Sequence, residues 1–193
     1  MVNMNAQAEL DKLIDSLRES GKKPKLLLHC CCAPCASYCL EYLNEYFDIT
    51  ALFFNPNIMP KEEYDLRLGA FDKLLTNFPN VKKLVVGGFE NEFLKRVSGL
   101  EQVKEGGVRC EKCIRFRLEK TAELSDGYDY YATTLTVSPH KNAAYINETG
   151  LSLDSSARYL PTDFKKKNGF LRSTELSKQF ELYRQNYCGC KFD

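Results

Sequence analysis

Residues 25–35, KLLLHCCCAPC, join a short apolar run to four cysteines. An apolar run of this length, ended by a turn signal, predicts a buried strand. The cysteines follow directly, at the position where a nucleotide-binding fold carries a Gly-rich phosphate loop. The chain has no Gly-rich run there. We therefore expect a buried strand whose carboxyl end presents thiols.

Strands and helices alternate on both sides of this stretch. Further strands are predicted at 49–54, 83–86 and 129–134, and helices at 10–17, 36–47, 64–78, 90–97, 110–124 and 141–150. This alternation predicts an α/β fold, a parallel sheet with helices on both faces. We expect a nucleotide-binding (HUP/PP-loop-like) architecture with a C-terminal helical cap.

The domain organisation is predicted in three parts. Residues 1–24 form an N-terminal helix, and residues 25–156 form the α/β core with the cysteine clusters. Residues 157–193 form a basic segment, a helix from 173 to 187 and a Cys-Gly-Cys ending, packed on the same domain.

Composition limits the function. The 193 residues suit one domain, and 44% apolar with 27% charged residues excludes a wholly disordered chain. Because 27 Lys and Arg residues face 26 Asp and Glu residues, any nucleic-acid surface must be local. No segment resembles a signal peptide or a membrane span, so we expect a cytoplasmic protein. Nine cysteines in that reducing setting indicate metal or redox chemistry.

A second thiol pair, Cys110 and Cys113, opens a predicted helix. The amino end of a helix stabilises thiolates, so both are good ligands for a soft metal. Four thiolates from the two clusters suit either zinc or an iron–sulfur cluster. Zinc sites usually use spaced pairs, and the adjacent Cys31 and Cys32 therefore favour iron–sulfur.

The remaining cysteines and histidines are assigned less directly. We expect Cys39 to be a buried core residue, and leave Cys30 open between core and site. Cys188-Gly189-Cys190 suits a labile redox disulfide, a metal site or a tail with idle thiols. We expect His29 to be a satisfied core residue and treat His140, after the fourth strand, as a candidate functional group.

Six positive and two negative side chains lie between positions 158 and 178, with aromatic residues among them. This mixture is typical of phosphate contacts combined with base stacking. The candidate substrate-binding residues are Arg158, Lys165, Lys166, Lys167 and Phe170.

Four groups of motifs together resemble one known family. They are LLLHCCCAPC at 26–35; RCEKC and RFRL within 109–118; TTL and SPHK within 133–141; and DFKK, GF and YCGC within 163–190. In combination they resemble the QueH family of epoxyqueuosine reductases, over about residues 25–190 of the chain.

The resemblance implies a reaction and a cofactor. Members reduce the epoxide of epoxyqueuosine in tRNA to the alkene of queuosine, with two electrons and two protons, and oxygen leaves as water. The family pattern implies a [4Fe–4S] cluster on Cys31, Cys32, Cys110 and Cys113.

The other roles follow from the same resemblance as hypotheses. Cys188 and Cys190 would be a redox-active pair or ligands of a second metal, and His140 or a C-terminal thiol would act as the acid. Cys35 and Asp163 are candidate ligands of an additional mononuclear iron. The basic residues would bind the tRNA anticodon arm, and an unidentified partner would supply electrons.

Two other functions remain as alternatives. An ATP-dependent tRNA-thiolating enzyme with an iron–sulfur cluster would need a Ser-Gly-Gly-type loop where CCCAPC stands. A zinc-stabilised RNA-binding module would be colourless, whereas an iron–sulfur protein purified without oxygen would be brown.

Overall fold

The computed structural model describes residues 5–192, so the first four residues of the expected N-terminal helix, and Asp193, lie outside the described residues. The helices are α1 (Ala6–Ser20), α2 (Ala33–Leu43), α3 (Lys61–Leu75), α4 (Glu90–Arg96), α5 (Val108–Glu123), α6 (Ala143–Leu151) and α7 (Gly169–Gln179). The strands are β1 (Lys25–His29), β2 (Asp48–Phe53), β3 (Lys82–Val85), β4 (Tyr130–Thr133) and β5 (Arg158–Tyr159).

The five strands form one parallel sheet in the order β3-β2-β1-β4-β5. The order reverses between β1 and β4, and a crevice for ligands opens at such a switch point, beyond the carboxyl ends of the strands. The predicted parallel α/β fold is confirmed.

Helices cover both faces of the sheet, because neighbouring strand residues point to opposite sides. Leu26 and Leu28 pack with α1, α2, α3 and α7, whereas Leu27 packs on the other face with α4, α5 and α6. The cap helix α7 lies on the first face, against α2.

Helix α2 begins at Ala33, three residues before the predicted start. Pro34 stands in its first turn, where a missing backbone N–H costs nothing. The four cysteines therefore straddle the strand end and the amino end of this helix.

The C-terminal helix differs most from expectation. The sequence predicts a helix at 173–187, whereas α7 spans Gly169–Gln179. Glu181 has a positive φ of 50°, and Lys73 Nζ donates to its carbonyl at 2.9 Å, which ends the helix early. The following residues form an irregular tail that turns back towards the sheet. Strand β5 was not predicted, because its two residues carry no periodic pattern.

Candidate active site at the carboxyl edge of the sheet

The first thiol group, formed by Cys31, Cys32 and Cys35, lies at the switch point between β1 and β4. The Cys31 backbone N–H donates to Thr134 Oγ1 at 3.2 Å, and this hydroxyl donates to Cys31 Sγ at 3.4 Å. The loop after β1 is thus tied to the residue that follows β4. This is the edge at which the sequence predicts chemistry.

Cys31, Cys32 and Cys35 converge there, with all three Sγ atoms within 4.8 Å of one another. Hydrogen bonds from Cys32 and Cys35, together with Thr134 and the charge of Arg117, hold the pKa of Cys31 well below its ordinary value. The contact with Cys31 raises the pKa of Cys32 to about 12, and also raises that of Cys35. The arrangement favours one thiolate with two thiols beside it, a donor set that suits a soft metal.

The second thiol group is carried by the first turns of α5. The Gly106 N–H donates to Cys110 Sγ at 3.3 Å, whereas Cys113 faces the protein interior. Burial raises the pKa of Cys113 to about 11, although Arg117 opposes this shift. A cavity of about 120 Å³ is lined by Cys110 and Cys113 together with Cys188 and Cys190.

A larger cavity, of about 490 Å³, opens over the first thiol group. Its size lies within the range of pockets that hold a small ligand. Arg117, His140, Lys141 and Cys188 line both cavities. The two thiol groups therefore face neighbouring spaces that share one wall.

The Cys-Gly-Cys tail is fixed to this wall by α3. Arg67 donates to the carbonyls of Tyr187 and Cys188 at 3.3 and 2.7 Å, and Glu63 holds Arg67 in a buried ion pair at 2.7 Å. Gly189 has a φ of +85°, and a Cβ there would collide with the Arg67 guanidinium. Only glycine allows this close approach.

Two further contacts hold the end of the tail. Cys190 forms an antiparallel bridge with Ile58, and Met59 N–H donates to Gly189 O at 2.9 Å. Arg109, next to Cys110, donates to Phe192 O at 2.7 Å. The tail is thereby held between α3 and α5, and its two cysteines line the same cavity as Cys110 and Cys113.

The structure tests the predicted core roles of His29 and Cys39 and places Cys30, whose role the sequence left open. His29 is fully buried, with ring nitrogens 2.8 Å from Thr133 Oγ1 and 3.0 Å from Phe54 O, which confirms its core role. Burial lowers the pKa of His29 to about 4, so the ring is neutral. Cys39 is buried in the core as predicted, and Cys30 joins it there with its Sγ directed at Leu28 O.

Asp163, a candidate metal ligand, is half-buried. It pairs with Lys165 at 3.1 Å and lines neither cavity. His140 is exposed and lines both cavities, so the geometry brings it to the site that the sequence suggested.

The five candidate substrate-binding residues do not all face the two cavities. Arg158 lies at the amino end of the sheet beside Asp129, Lys167 pairs with Asp11 of α1 at 2.8 Å, and Lys166 is exposed. Among the five candidate substrate-binding residues, Phe170 alone lines the larger cavity. Arg158 and Tyr159 pair with Tyr130 and Tyr131 at the start of β4, and this pairing holds Arg158 away from the carboxyl edge of the sheet.

Sequence reasoning missed several residues that shape the site. Arg117 stands four residues after Cys113, on the same face of α5, and this helical spacing was a usable signal. Lys141 directly follows His140. Asn57 is 1% exposed, lines the larger cavity, and its Oδ1 finds no hydrogen-bond partner within residues 5–192. Nothing in the sequence distinguishes it from a turn residue.

The fold and site define an α/β protein with a cluster of three thiols, able to hold a metal ion, at the switch point of its sheet. The family model described as "Epoxyqueuosine reductase QueH" matches residues 26–193. The chain therefore belongs to the QueH family and is an oxidoreductase.

Individual relatives with the same printed name cover most of the chain. The Streptococcus pyogenes serotype M1 protein is 40% identical, over 99% of this chain and 80% of its own length. The Staphylococcus epidermidis protein is 41% identical, over 98% of this chain and 84% of its own. The Thermotoga maritima protein is 35% identical, over 86% of this chain and 88% of its own. Within residues 5–192, no helix is long and apolar enough to cross a membrane.

Proposed function

We propose that this protein reduces the epoxide of epoxyqueuosine in tRNA to the alkene of queuosine, in an iron–sulfur-dependent reaction in the cytoplasm. Two electrons and two protons enter, both C–O bonds of the epoxide break, and the oxygen leaves as water. The observation that carries the proposal is the meeting of two thiol groups and the Cys-Gly-Cys tail around Arg117, below a cavity of about 490 Å³.

Cys31, Cys32, Cys110 and Cys113 would hold a [4Fe–4S] cluster. When bound, such a cluster supplies electrons one at a time. The donor set fits, since thiolates are the usual ligands of these clusters. A buried guanidinium, whose Nε has no hydrogen-bond partner within residues 5–192, also fits an anionic group between the thiols. An additional mononuclear iron would rely on Cys35 and Asp163, whose buried Oδ1 accepts no hydrogen bond within residues 5–192.

The larger cavity would receive the modified base, flipped out of the anticodon loop. Unpaired bases can be splayed out and stacked on aromatic side chains. Phe170 is 39% exposed, and the Arg184 guanidinium lies 5.4 Å from its ring centroid, so the pair offers a stacking surface beside a positive charge. Asn57 offers an amide to a polar group of the substrate.

Proton delivery would come from the wall shared by the two cavities. His140 is exposed there and can exchange protons with water, while the Lys141 ammonium lies 4.0 Å from Cys188 Sγ. We propose His140 or a tail thiol as the acid that protonates the epoxide oxygen. Cys188 and Cys190 would act as a redox pair or as metal ligands, held by Arg67 and Arg109. An external electron donor completes the reaction.

The test is anaerobic purification, followed by metal, sulfide and absorbance measurements and an assay on tRNA that carries epoxyqueuosine. We expect a brown protein with about four irons and four sulfides that forms queuosine. A colourless protein with stoichiometric zinc, or product formed without iron, would overturn the proposal.

Single variants then test the ligand set. We expect Cys31→Ala and Cys110→Ala to lose the four-iron absorbance and the activity. Cys30→Ala is the matched control, because its sulfur lies in the core although it precedes Cys31 directly. If Cys110→Ala still assembles a complete four-iron cluster, Cys110 is not a ligand.

A further inference from the structure

Arg117 is a buried cation in the middle of the thiol site. It is 3% exposed, its Nη1 lies 3.4 Å from Asn55 Oδ1, and its Nε has no hydrogen-bond partner within residues 5–192. It lines both cavities, as does Lys141, whose ammonium approaches Cys188 Sγ. Two positive side chains thus stand where the thiol groups face each other.

Within the described part of the chain, neither cation forms an ion pair with a carboxylate. The ion pairs within residues 5–192 include neither Arg117 nor Lys141. Arg67, which is buried to the same degree, does pair with Glu63. A buried charge without an opposite charge is strongly unfavourable, so Arg117 requires another source of negative charge, and the partly buried Lys141 requires one to a smaller degree.

Glu105 lines both cavities but is in none of the ion pairs within residues 5–192, and the other groups near the two cations that can carry negative charge are the cysteines. Burial alone would lower the pKa of Arg117, but Cys113, Cys188 and Cys31 raise it. The pKa of Lys141 is likewise raised against burial, first by Cys188 and then by Cys31 and Cys113. Thiols from three separate parts of the chain therefore act on the same two cations.

We propose that Arg117 and Lys141 are fixed counter-charges that raise the reduction potential of the iron–sulfur centre. The proposal deepens the function proposed above and rests on it. Each electron taken up adds one negative charge to a centre that four thiolates already make anionic. A positive charge in a water-poor interior stabilises the reduced state more than the oxidised state. These residues act through the cofactor's environment and are positioning residues.

The experiment measures the midpoint potential of the reconstituted cluster in a redox titration, in which electron paramagnetic resonance detects the reduced cluster. The variants are Arg117→Met, Arg117→Lys and Lys141→Met. Arg115→Met is the matched control, because Arg115 lies on the same helix but is 48% exposed and paired with Glu119. Its charge is screened by solvent, so its removal leaves the potential unchanged.

We expect Arg117→Met to lower the equilibrium constant for one-electron reduction of the cluster at least tenfold. This corresponds to a shift of the midpoint potential by about 59 mV to a more negative value. Lys141→Met shifts the midpoint potential in the same direction, whereas Arg117→Lys and Arg115→Met keep the midpoint potential of the parental protein. If Arg117→Met fails to fold, Lys141→Met carries the test, because Lys141 is only partly buried.

Three results would overturn the proposal. In the first, the methionine variants keep the parental midpoint potential. In the second, the potential of Arg117→Lys falls as far as that of Arg117→Met, which shows that the shape of the arginine side chain, and not its charge, sets the potential. In both cases the parental cluster and its activity remain, and the proposed function stands. A parental protein that assembles no cluster would overturn both proposals together.

Discussion

Neighbouring cysteines in one cluster have different environments, because the chain alternates its side-chain direction at the end of β1. Cys30 faces the core on one side of the sheet, whereas Cys31 packs towards the other side and enters the site. The sequence predicts that thiols gather here. It could not exclude Cys30, since that depends on where β1 ends, and it did not group Cys35 with Cys31 and Cys32, since that depends on the start of α2.

At the residue scale, the Glu63–Arg67 ion pair gives a pH prediction. Burial alone would raise the pKa of Glu63, but hydrogen bonds from Arg67, Tyr183 and Tyr187 hold it below the ordinary value of 4.5. A lowered folded-state pKa stabilises the fold above the unfolded pKa, and this contribution is lost as the pH falls through the folded value. We expect Glu63→Gln to lower the free energy of unfolding by about 3–5 kcal/mol at pH 7, measured by urea unfolding.

The control is Asp65→Asn, on the same helix and with the same spacing from its partner. The Lys61–Asp65 pair has side chains 79% and 52% exposed, so its loss costs about 0.5 kcal/mol or less. The difference between parent and Glu63→Gln should shrink as the pH falls below 4.5. A difference that stays constant down to acid unfolding would contradict the ionised pair.

At the element scale, the sequence predicts the strongly periodic elements and misses those set by tertiary contacts. The sequence predicts a helix at 110–124, and α5 spans Val108–Glu123, because apolar residues recur clearly on one face of this helix. The end of α7 depends on Lys73, which is distant in sequence, and β5 exists only through its pairing with β4. Both features depend on contacts between residues distant in the sequence, so the sequence of one segment does not predict them.

The start of α7 gives the second prediction. A Cβ at Gly169 would overlap the Phe164 carbonyl oxygen and the Tyr38 ring, so α7 can approach α2 only with glycine there. We expect Gly169→Ala to lower the free energy of unfolding by about 1–3 kcal/mol, because overpacking forces the helix to move. Thermal and urea unfolding measure the change.

Gly69→Ala is the matched variant in another helix. Gly69 lies inside α3, is exposed, and a Cβ there meets nothing within 4 Å. Alanine is a better helix former, so this variant should gain up to about 1 kcal/mol of stability. Equal effects at the two positions would show that contact with α2 is not what selects glycine at 169.

At the scale of the whole molecule, the sheet separates two ends with different chemistry. The thiols and both site cavities lie at the carboxyl ends of β1 and β4, whereas Arg158 lies at the opposite end with Lys22 and Lys23. Composition predicted that any nucleic-acid surface is local. It could not locate that surface, because residues close in the basic segment diverge once β5 joins the sheet.

This separation predicts which positive and aromatic side chains contact tRNA. We expect Phe170→Ala to weaken tRNA binding by about 1–3 kcal/mol through lost base stacking, measured by filter binding or fluorescence anisotropy. Arg184→Ala should lower the slope of log affinity against log salt by about 0.7, the value for one contact with a single-stranded phosphate. Arg158→Ala should change neither quantity, because the sheet places its guanidinium at the far edge. If Arg158→Ala weakens binding as much as Arg184→Ala, the tRNA extends along the β5 edge to both ends of the sheet, and the cavity over the thiols is only part of its contact surface.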